Sequence, residues 1–411
     1  MEVIMKTKWV FLLAVLAFFW SVSPSEGQVK FRKIIIDKTF RSEGITVADI
    51  DHDGKLDILA GDVWYAAPDW KMHEILPVGQ YDGSTGYSKT FINFAQDVNG
   101  DGWVDSIIIG QPGEPCWWYE NPKNDPGHWK QRMVAESANN ETPLFVDLLG
   151  NGRGVLIFAV RPPAAPPSRS KTASGLMVWF SVPKNLDGPW DMHTIASPDA
   201  PGTQKYSHGL GAGDVNGDGR SDVLITEGWW EAPEDRTITN WKFHPATLGP
   251  KCADMLVYDV DGDGDSDVIT SSAHDYGIWW FEQRPGQDDP QFEQHLIFNE
   301  FSQPHAIRLV DMDGDGLKDL VTGKRYFAHM GKDPGEYEPA VLYWFELHRP
   351  QNGPASARAF AKTSKVEFIP HKIDDDSGVG TQFEVTDFNG DKNPDIVTSN
   401  KKGVHVFLQL Q

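Results

Sequence analysis

The sequence predicts an all-β protein, a seven-bladed β-propeller of four-stranded blades, on three observations. A nine-residue acidic pattern, Asp-x-(Asp/Asn)-x-Asp-Gly-x-x-Asp, recurs at blade-sized intervals. Each copy is followed by an apolar, β-branched run and then by an aromatic cluster. The strand that the last repeat lacks stands ahead of the first acidic loop.

The acidic pattern comes first because its period dictates the fold. Six copies are good: Asp49, Asp51, Asp53 and Asp57; Asp97, Asn99, Asp101 and Asp105; Asp214, Asn216, Asp218 and Asp222; Asp259, Asp261, Asp263 and Asp267; Asp311, Asp313, Asp315 and Asp319; and Asp387, Asn389, Asp391 and Asp395. A seventh keeps Asp147, Asn151 and Gly152 but lacks the closing aspartate. It is expected to bind calcium weakly or not at all. Successive first aspartates lie 48, 50, 67, 45, 52 and 76 residues apart, blade-sized repeats with insertions at 161–175, 328–340 and 348–365. Oxygen ligands at positions 1, 3 and 5 of a tight loop suit Ca²⁺, which takes six to eight oxygens, and the ninth-position aspartate is expected to close the cage. An EF-hand needs Glu at position 12, where these loops carry Ala60, Ile108, Ile225, Thr270, Thr322 and Thr398. Several structural Ca²⁺ ions between strands are therefore expected. The bland alternative for a single copy is a metal-free Asp-Gly hairpin.

Strand assignments follow from the loops. Residues such as 222–226 and 395–398 read as second strands, and the clusters at Trp64-Tyr65, Trp117-Trp118-Tyr119, Val178-Trp179-Phe180, Trp229-Trp230, Trp279-Trp280-Phe281, Tyr343-Trp344-Phe345 and Val406-Phe407 as third strands. Fourth strands are expected at 70–76, 129–135, 190–195, 241–247, 292–298 and 366–373. No fourth strand follows Phe407, but residues 29–37 have its pattern, so the N-terminal strand is expected to complete the C-terminal blade. Closure of this kind removes an open sheet edge.

Residues 1–27 read as a secretory signal peptide, with Lys6 and Lys8 ahead of an apolar run at 9–20 and small residues Ser25 and Gly27 at the cleavage site. Residues 28–411 then form one propeller domain, secreted or periplasmic, without membrane insertion. Cys116 and Cys252 are expected to be free, since two distant cysteines do not make a disulfide framework. The formal charge of −22 lies in short aspartate loops, and no basic stripe offsets it, which argues for bound cations and against nucleic acid.

The loops resemble FG-GAP or VCBS repeats, the integrin-alpha-like propeller family, over the whole of 28–411, although the literal Phe-Gly and Gly-Ala-Pro signatures are absent. Within that family, the run from His208-Gly-Leu-Gly-Ala-Gly to Asp222, with Trp229-Trp230-Glu231-Ala232-Pro233, is similar to the propeller part of aldos-2-ulose dehydratases. No cupin-like segment follows it.

The mouth opposite the calcium loops is the expected site, because side chains from several blades converge there. His208, His274, His305 and His329 fall on it, with Glu227 or Asp254 as an accompanying carboxylate for a catalytic divalent metal such as Zn²⁺. Tyr87, Lys89, Glu227, His274 and His329 are candidate substrate contacts. The dehydratase resemblance implies elimination from a keto-sugar, with His208 or Tyr276 as base, His305 beside them, and Lys324, Arg325 or a His-bound metal holding the oxyanion. The alternative for Lys324-Arg325 is a solvated turn. The tryptophan pairs read as packing between blades, with Trp64 and Trp229, nearest the turns, as candidates for sugar contact. His73, His193 and His244 share an outer-strand position and read as structural. Two functions compete: a carbohydrate lyase or dehydratase, and a non-catalytic glycan-binding or adhesion module. The fold hosts either.

Overall fold

The computed structural model describes residues 29–162, 175–287, 289–350 and 365–410. Within them the chain forms 28 strands and no helix, in a β-propeller arrangement. The expected leader at 1–27 lies outside the described residues, as do 163–174 and 351–364 within two of the expected insertions.

Five sheets have four strands each and a sixth has eight. In the first, β2 (Thr46–Ala48), β3 (Asp57–Ala60), β4 (Val63–Ala66) and β5 (Lys71–Glu74) pair antiparallel in chain order, with the acidic loop between β2 and β3. The eight-stranded sheet consists of two such antiparallel runs joined by a parallel pair, β14 (Leu210–Gly213) beside β18 (Cys252–Tyr258). Glycine permits that contact. A Cβ on Gly211 would stand 2.5 Å from the Met255 carbonyl oxygen, and one on Gly213 would stand 2.5 Å from Cβ of Val257. The Gly-Leu-Gly-Ala-Gly run of the sequence therefore serves backbone approach at this seam.

The N-terminal strand joins the C-terminal one as expected. β1 (Lys30–Asp37) pairs antiparallel with β28 (Gly403–Leu410), Lys30 opposite Leu410 and Ile34 opposite Val406. The sheet runs β1, β28, β27 (Asp395–Asn400), β26 (Phe383–Thr386), and β26 lies beside β2, which brings the two ends of the chain together.

Hydrophobic clusters fill the spaces between neighbouring sheets. Ile58, Tyr65 and Val63 of the first sheet pack with Val397, Val406 and Phe407 of the last, while Leu59 and Trp64 on the opposite face pack with Ile108 and Tyr119 of the next. Alternation along each strand produces this division. Every third-strand tryptophan of the repeat also faces a fixed partner on the fourth strand. Trp64 stacks on His73, Trp179 on His193, Trp229 on His244, Trp280 on His295 and Trp344 on His371, each pair directly opposite in register. Arg132 takes the histidine's place over Trp118, and Lys33 over Phe407. The histidines are structural, as the sequence suggested.

The ninth-position aspartates act as braces. Asp57 accepts the backbone N–H of Ile50 and of Ala67, at 2.8 Å each, tying the acidic loop to the end of the third strand. The same pair of bonds recurs at Asp105, Asp222, Asp267, Asp319 and Asp395. Each carboxylate oxygen of these aspartates thus accepts a backbone N–H. Burial pushes Asp57 and Asp222 up to about 6 and Asp105 and Asp319 up to about 7. In the eroded loop, Leu148 N–H turns to the Val146 carbonyl instead.

The first, third and fifth positions fit a hard cation. Oxygens of Asp49, Asp51 and Asp53 lie within 4.8 Å of one another, as do those of Asp259, Asp261 and Asp263. Asp49 Oδ1 is buried without a hydrogen-bond partner, an acceptor that a cation would satisfy.

Candidate functional site

The mouth opposite the acidic loops is built from residues that immediately precede the innermost strands and from one long loop. Glu43 precedes β2, His208 precedes β14, and His305 precedes β22 (Ile307–Val310). Glu141 occupies the equivalent place before β10 (Leu144–Val146). The loop between β23 (Asp319–Gly323) and β24 (Leu342–His348) adds His329, Asp333, Glu336 and Glu338. It is tied down by Lys324, whose Nζ donates to Ser302 Oγ and the Gly335 carbonyl at 2.5 Å each, and by Lys401 Nζ, which donates to the Phe327 carbonyl at 2.9 Å.

At the centre, His208 Nε2 lies 2.6 Å from Glu141 Oε2 and 2.8 Å from His274 Nε2. The far nitrogen of His274, Nδ1, lies 3.0 Å from Asp333 Oδ2, which also meets His329 Nδ1 at 2.5 Å. Beneath them Arg325 donates to Glu141 Oε1 at 2.5 Å and to His305 Nε2 at 3.0 Å, and its Nε lies 3.4 Å from Glu43 Oε2. Arg325 and His305 are wholly buried, whereas the side chains of His274 and His329 keep 27% and 29% of their surface, so the cluster opens to solvent through these two imidazoles.

Burial sets the protonation states. Desolvation, with His208 and His329 nearby, lowers His274 to about 4, and desolvation with Arg325 lowers His305 to about 3. Burial alone would raise Glu141, but Arg325 and His208 hold it well below the usual carboxylate range. Arg325 stays charged between Glu43 and Glu141. The result is neutral imidazole at His274 and His305 beside an ionised Glu141, and imidazole with carboxylate is a donor set that suits a borderline divalent metal.

Two groups of ligating atoms meet the distance requirement and share His274: Glu141, His208 and His274, and His274, His329 and Asp333. The four histidines expected at the mouth are thus together, and the carboxylates are corrected. Asp254 is held by Arg308 at 2.9 Å and by Ile307 N–H in the central channel, and Glu227 accepts the Thr226 hydroxyl; Glu141 and Asp333 take the places expected for them. Repeat alignment would have found Glu141, since its position matches Glu43 and His208. Asp333 lies in the 328–340 insertion, which has no counterpart in other repeats to align with.

Other expectations change as well. Lys324 and Arg325 are fully buried rather than a solvated turn, and their partners leave them positioning roles, not contact with an oxyanion. Tyr276 Oη donates to Glu338 Oε1 at 2.5 Å, which raises it to about 12 and makes it a poor base near neutrality. Trp64 and Trp229 are buried, with ring centroids 4.4 and 4.0 Å from His73 and His244, and present no face to the mouth. Tyr87 does reach the cluster, its ring edge-on to His329 at 6.4 Å. Lys89 lines an adjoining cavity. Cys116 and Cys252 are free and buried, as expected.

A β-propeller arrangement braced by repeated acidic loops defines the class. More particularly, residues 259–322, from the Asp259 loop to β23, match the FG-GAP-like repeat family, in agreement with the resemblance read from the loops. No curated protein matches the chain. Among solved structures, the chain is similar to an Agrocybe aegerita lectin that recognises non-reducing terminal N-acetylglucosamine, at 14% identity over 93% of this chain and 86% of that one, with a TM-score of 0.46. It is also similar to BBS1N in complex with ARL6DN, at 9% identity over 93% and 96% of the two chains, TM-score 0.47. A third is the rhamnogalacturonan lyase YesW, at 12% identity over 92% and 75%, TM-score 0.45.

Proposed function

We propose that this is an exported, seven-bladed, carbohydrate-active propeller, a lyase or dehydratase that eliminates across a sugar carbon next to a carbonyl. The convergence of Glu141, His208 and His274 carries this reading. Seven blades follow from taking the eight-stranded sheet as two blades that touch through β14 and β18, since each half repeats the antiparallel order of the other five sheets. Export rests on the leader pattern at 1–27. The acidic loops are assigned structural Ca²⁺.

Glu141 Oε2, His208 Nε2 and His274 Nε2 would hold a divalent ion as a set of the His₂Glu kind. Asp333 on the far nitrogen of His274, and Arg325 on the second oxygen of Glu141, are the outer partners that orient such ligands. A divalent ion such as Zn²⁺ bound there supplies Lewis-acid polarisation of a carbonyl oxygen. His329 is the base: Asp333 fixes its Nδ1, and its half-open ring faces the mouth. His208, the base expected from sequence, becomes a ligand.

The test is metal analysis of the purified protein, with and without Ca²⁺ chelation, together with assay of keto-sugars and uronate-containing oligosaccharides for the ultraviolet absorbance of a conjugated carbonyl product. One transition-metal equivalent per chain, lost in His208→Ala and His274→Ala, is expected. His329→Ala is expected to keep the metal and lose about 10²–10⁴-fold in turnover. Retained full turnover in His208→Ala and His305→Ala would sink the assignment. Glycan binding without turnover would favour the adhesion reading.

A further inference from the structure

We infer that the cleft between the first two blades is a second sugar subsite, which takes the pyranose ring next along an oligosaccharide from the ring at the histidine centre. This rests on the proposed carbohydrate activity. The cleft is a cavity of about 460 Å³ whose lining includes Tyr87, Lys89, Gln111, Glu114 and Trp117. Tyr87 is the wall it shares with the catalytic cluster, because the same ring stands edge-on to His329. A chain bound with one ring at His329 therefore has its next ring beside Tyr87.

Trp117 is the feature that gives the cavity its chemistry. It sits one residue before Trp118, the tryptophan of the repeat, in β8 (Cys116–Glu120). Three other blades place Val63, Val178 or Val406 there, a fourth places Gly228, and the remaining two carry the aromatics Trp279 and Tyr343, neither of which lines this cavity. Each repeat tryptophan has its histidine or arginine partner, but Trp117 faces Met133 across the ladder and stays partly exposed towards the cavity. A large aromatic face on one side, with charged and amide groups on the rim, matches a pyranose, which offers an apolar C–H face and a ring of hydroxyls. Lys89 and Glu114 are exposed at that rim, and Gln111 lies half-buried behind them. Cation, carboxylate and amide together supply donors and acceptors for vicinal hydroxyls.

The probe is an array of neutral and uronate-containing oligosaccharides of one to six rings, with titration of the best binders. The intact protein is expected to prefer two or more rings over one by about tenfold. Trp117→Ala is expected to abolish that preference, raising KM or Kd for the longer probe about tenfold while leaving the single-ring probe, kcat and metal content unchanged. Lys89→Ala, at an exposed position, repeats the test without risk to the core. Equal affinity for one ring and several in the intact protein, or a length preference that survives both substitutions, overturns the subsite and leaves the histidine centre standing. Silence towards every probe overturns both.

Discussion

The indole of Trp229 and the imidazole of His244 lie face to face, centroids 4.0 Å apart and planes 5° apart, and His244 is held from both sides by Glu231 at 2.8 Å and Asp289 at 2.5 Å. The tryptophan sits in the third strand and the histidine directly opposite in the fourth, so each pair fastens the outermost strand of a blade to its neighbour. An outer strand has no partner beyond it, and a side-chain clamp replaces the missing ladder.

The clamp predicts a stability effect with no catalytic one. Trp229→Ala removes a buried indole and is expected to cost about 3–5 kcal/mol, and His244→Ala about 1–2 kcal/mol, by denaturant titration. Metal content and turnover at the histidine mouth should be unchanged in whatever fraction remains folded.

The brace aspartates predict a contrast within one loop. Asp319→Ala strands the N–H groups of Met312 and Leu347 and is expected to cost about 2–4 kcal/mol even in chelator. Asp315→Ala, at an exposed loop position, is expected to cost little in chelator and to matter only when Ca²⁺ is present. Equal effects in both conditions would refute the division between brace and ligand.

Chelation is expected to lower the melting temperature, because Ca²⁺ assigned to loops such as Asp49, Asp51 and Asp53 would bind the folded state alone. Restoring Ca²⁺ should restore the melt, and a melt indifferent to chelator would contradict the calcium assignment.

The last acidic loop carries Lys392 at φ +74°, where the other copies have glycine, Gly54 at +85° and Gly316 at +90° among them. An L side chain is strained there. Lys392→Gly is expected to stabilise by up to about 1 kcal/mol, read as a shift in the denaturation midpoint.

Acid sensitivity has an identifiable contributor away from the acidic loops and the histidine cluster. Burial, with Lys33 nearby, lowers His405 to about 4. Its folded value is depressed, so the unfolded chain takes up the proton first: the contribution is complete above about pH 6.5 and is lost as pH falls through 4. His405→Asn is expected to flatten the fall in stability between pH 6.5 and 4 relative to the parent, whatever its effect at pH 8.

Much of this was legible in the sequence because repetition makes local patterns mutually supporting. The acidic loops, the strand order, the pairing of residues 29–37 with the last strand and the structural role of His73, His193 and His244 all follow from period and alternation. The gathering of His208, His274, His305 and His329 on one mouth was likewise predictable from loop positions. Repetition could not reveal which carboxylates join them. Glu141 and Asp333 come from distant blades, and only the closed ring and the folded 326–340 loop bring them to His208 and His274. Nor could it reveal that the ninth-position aspartates hold backbone N–H groups, since aspartates at every position of the loop read alike as letters. Sequence determined the ring and its faces, because these depend on local periodicity. Tertiary structure decided the site, because burial and long-range contact fix which side chains lose water, and hence which stay neutral, which stay charged and which remain open to a substrate.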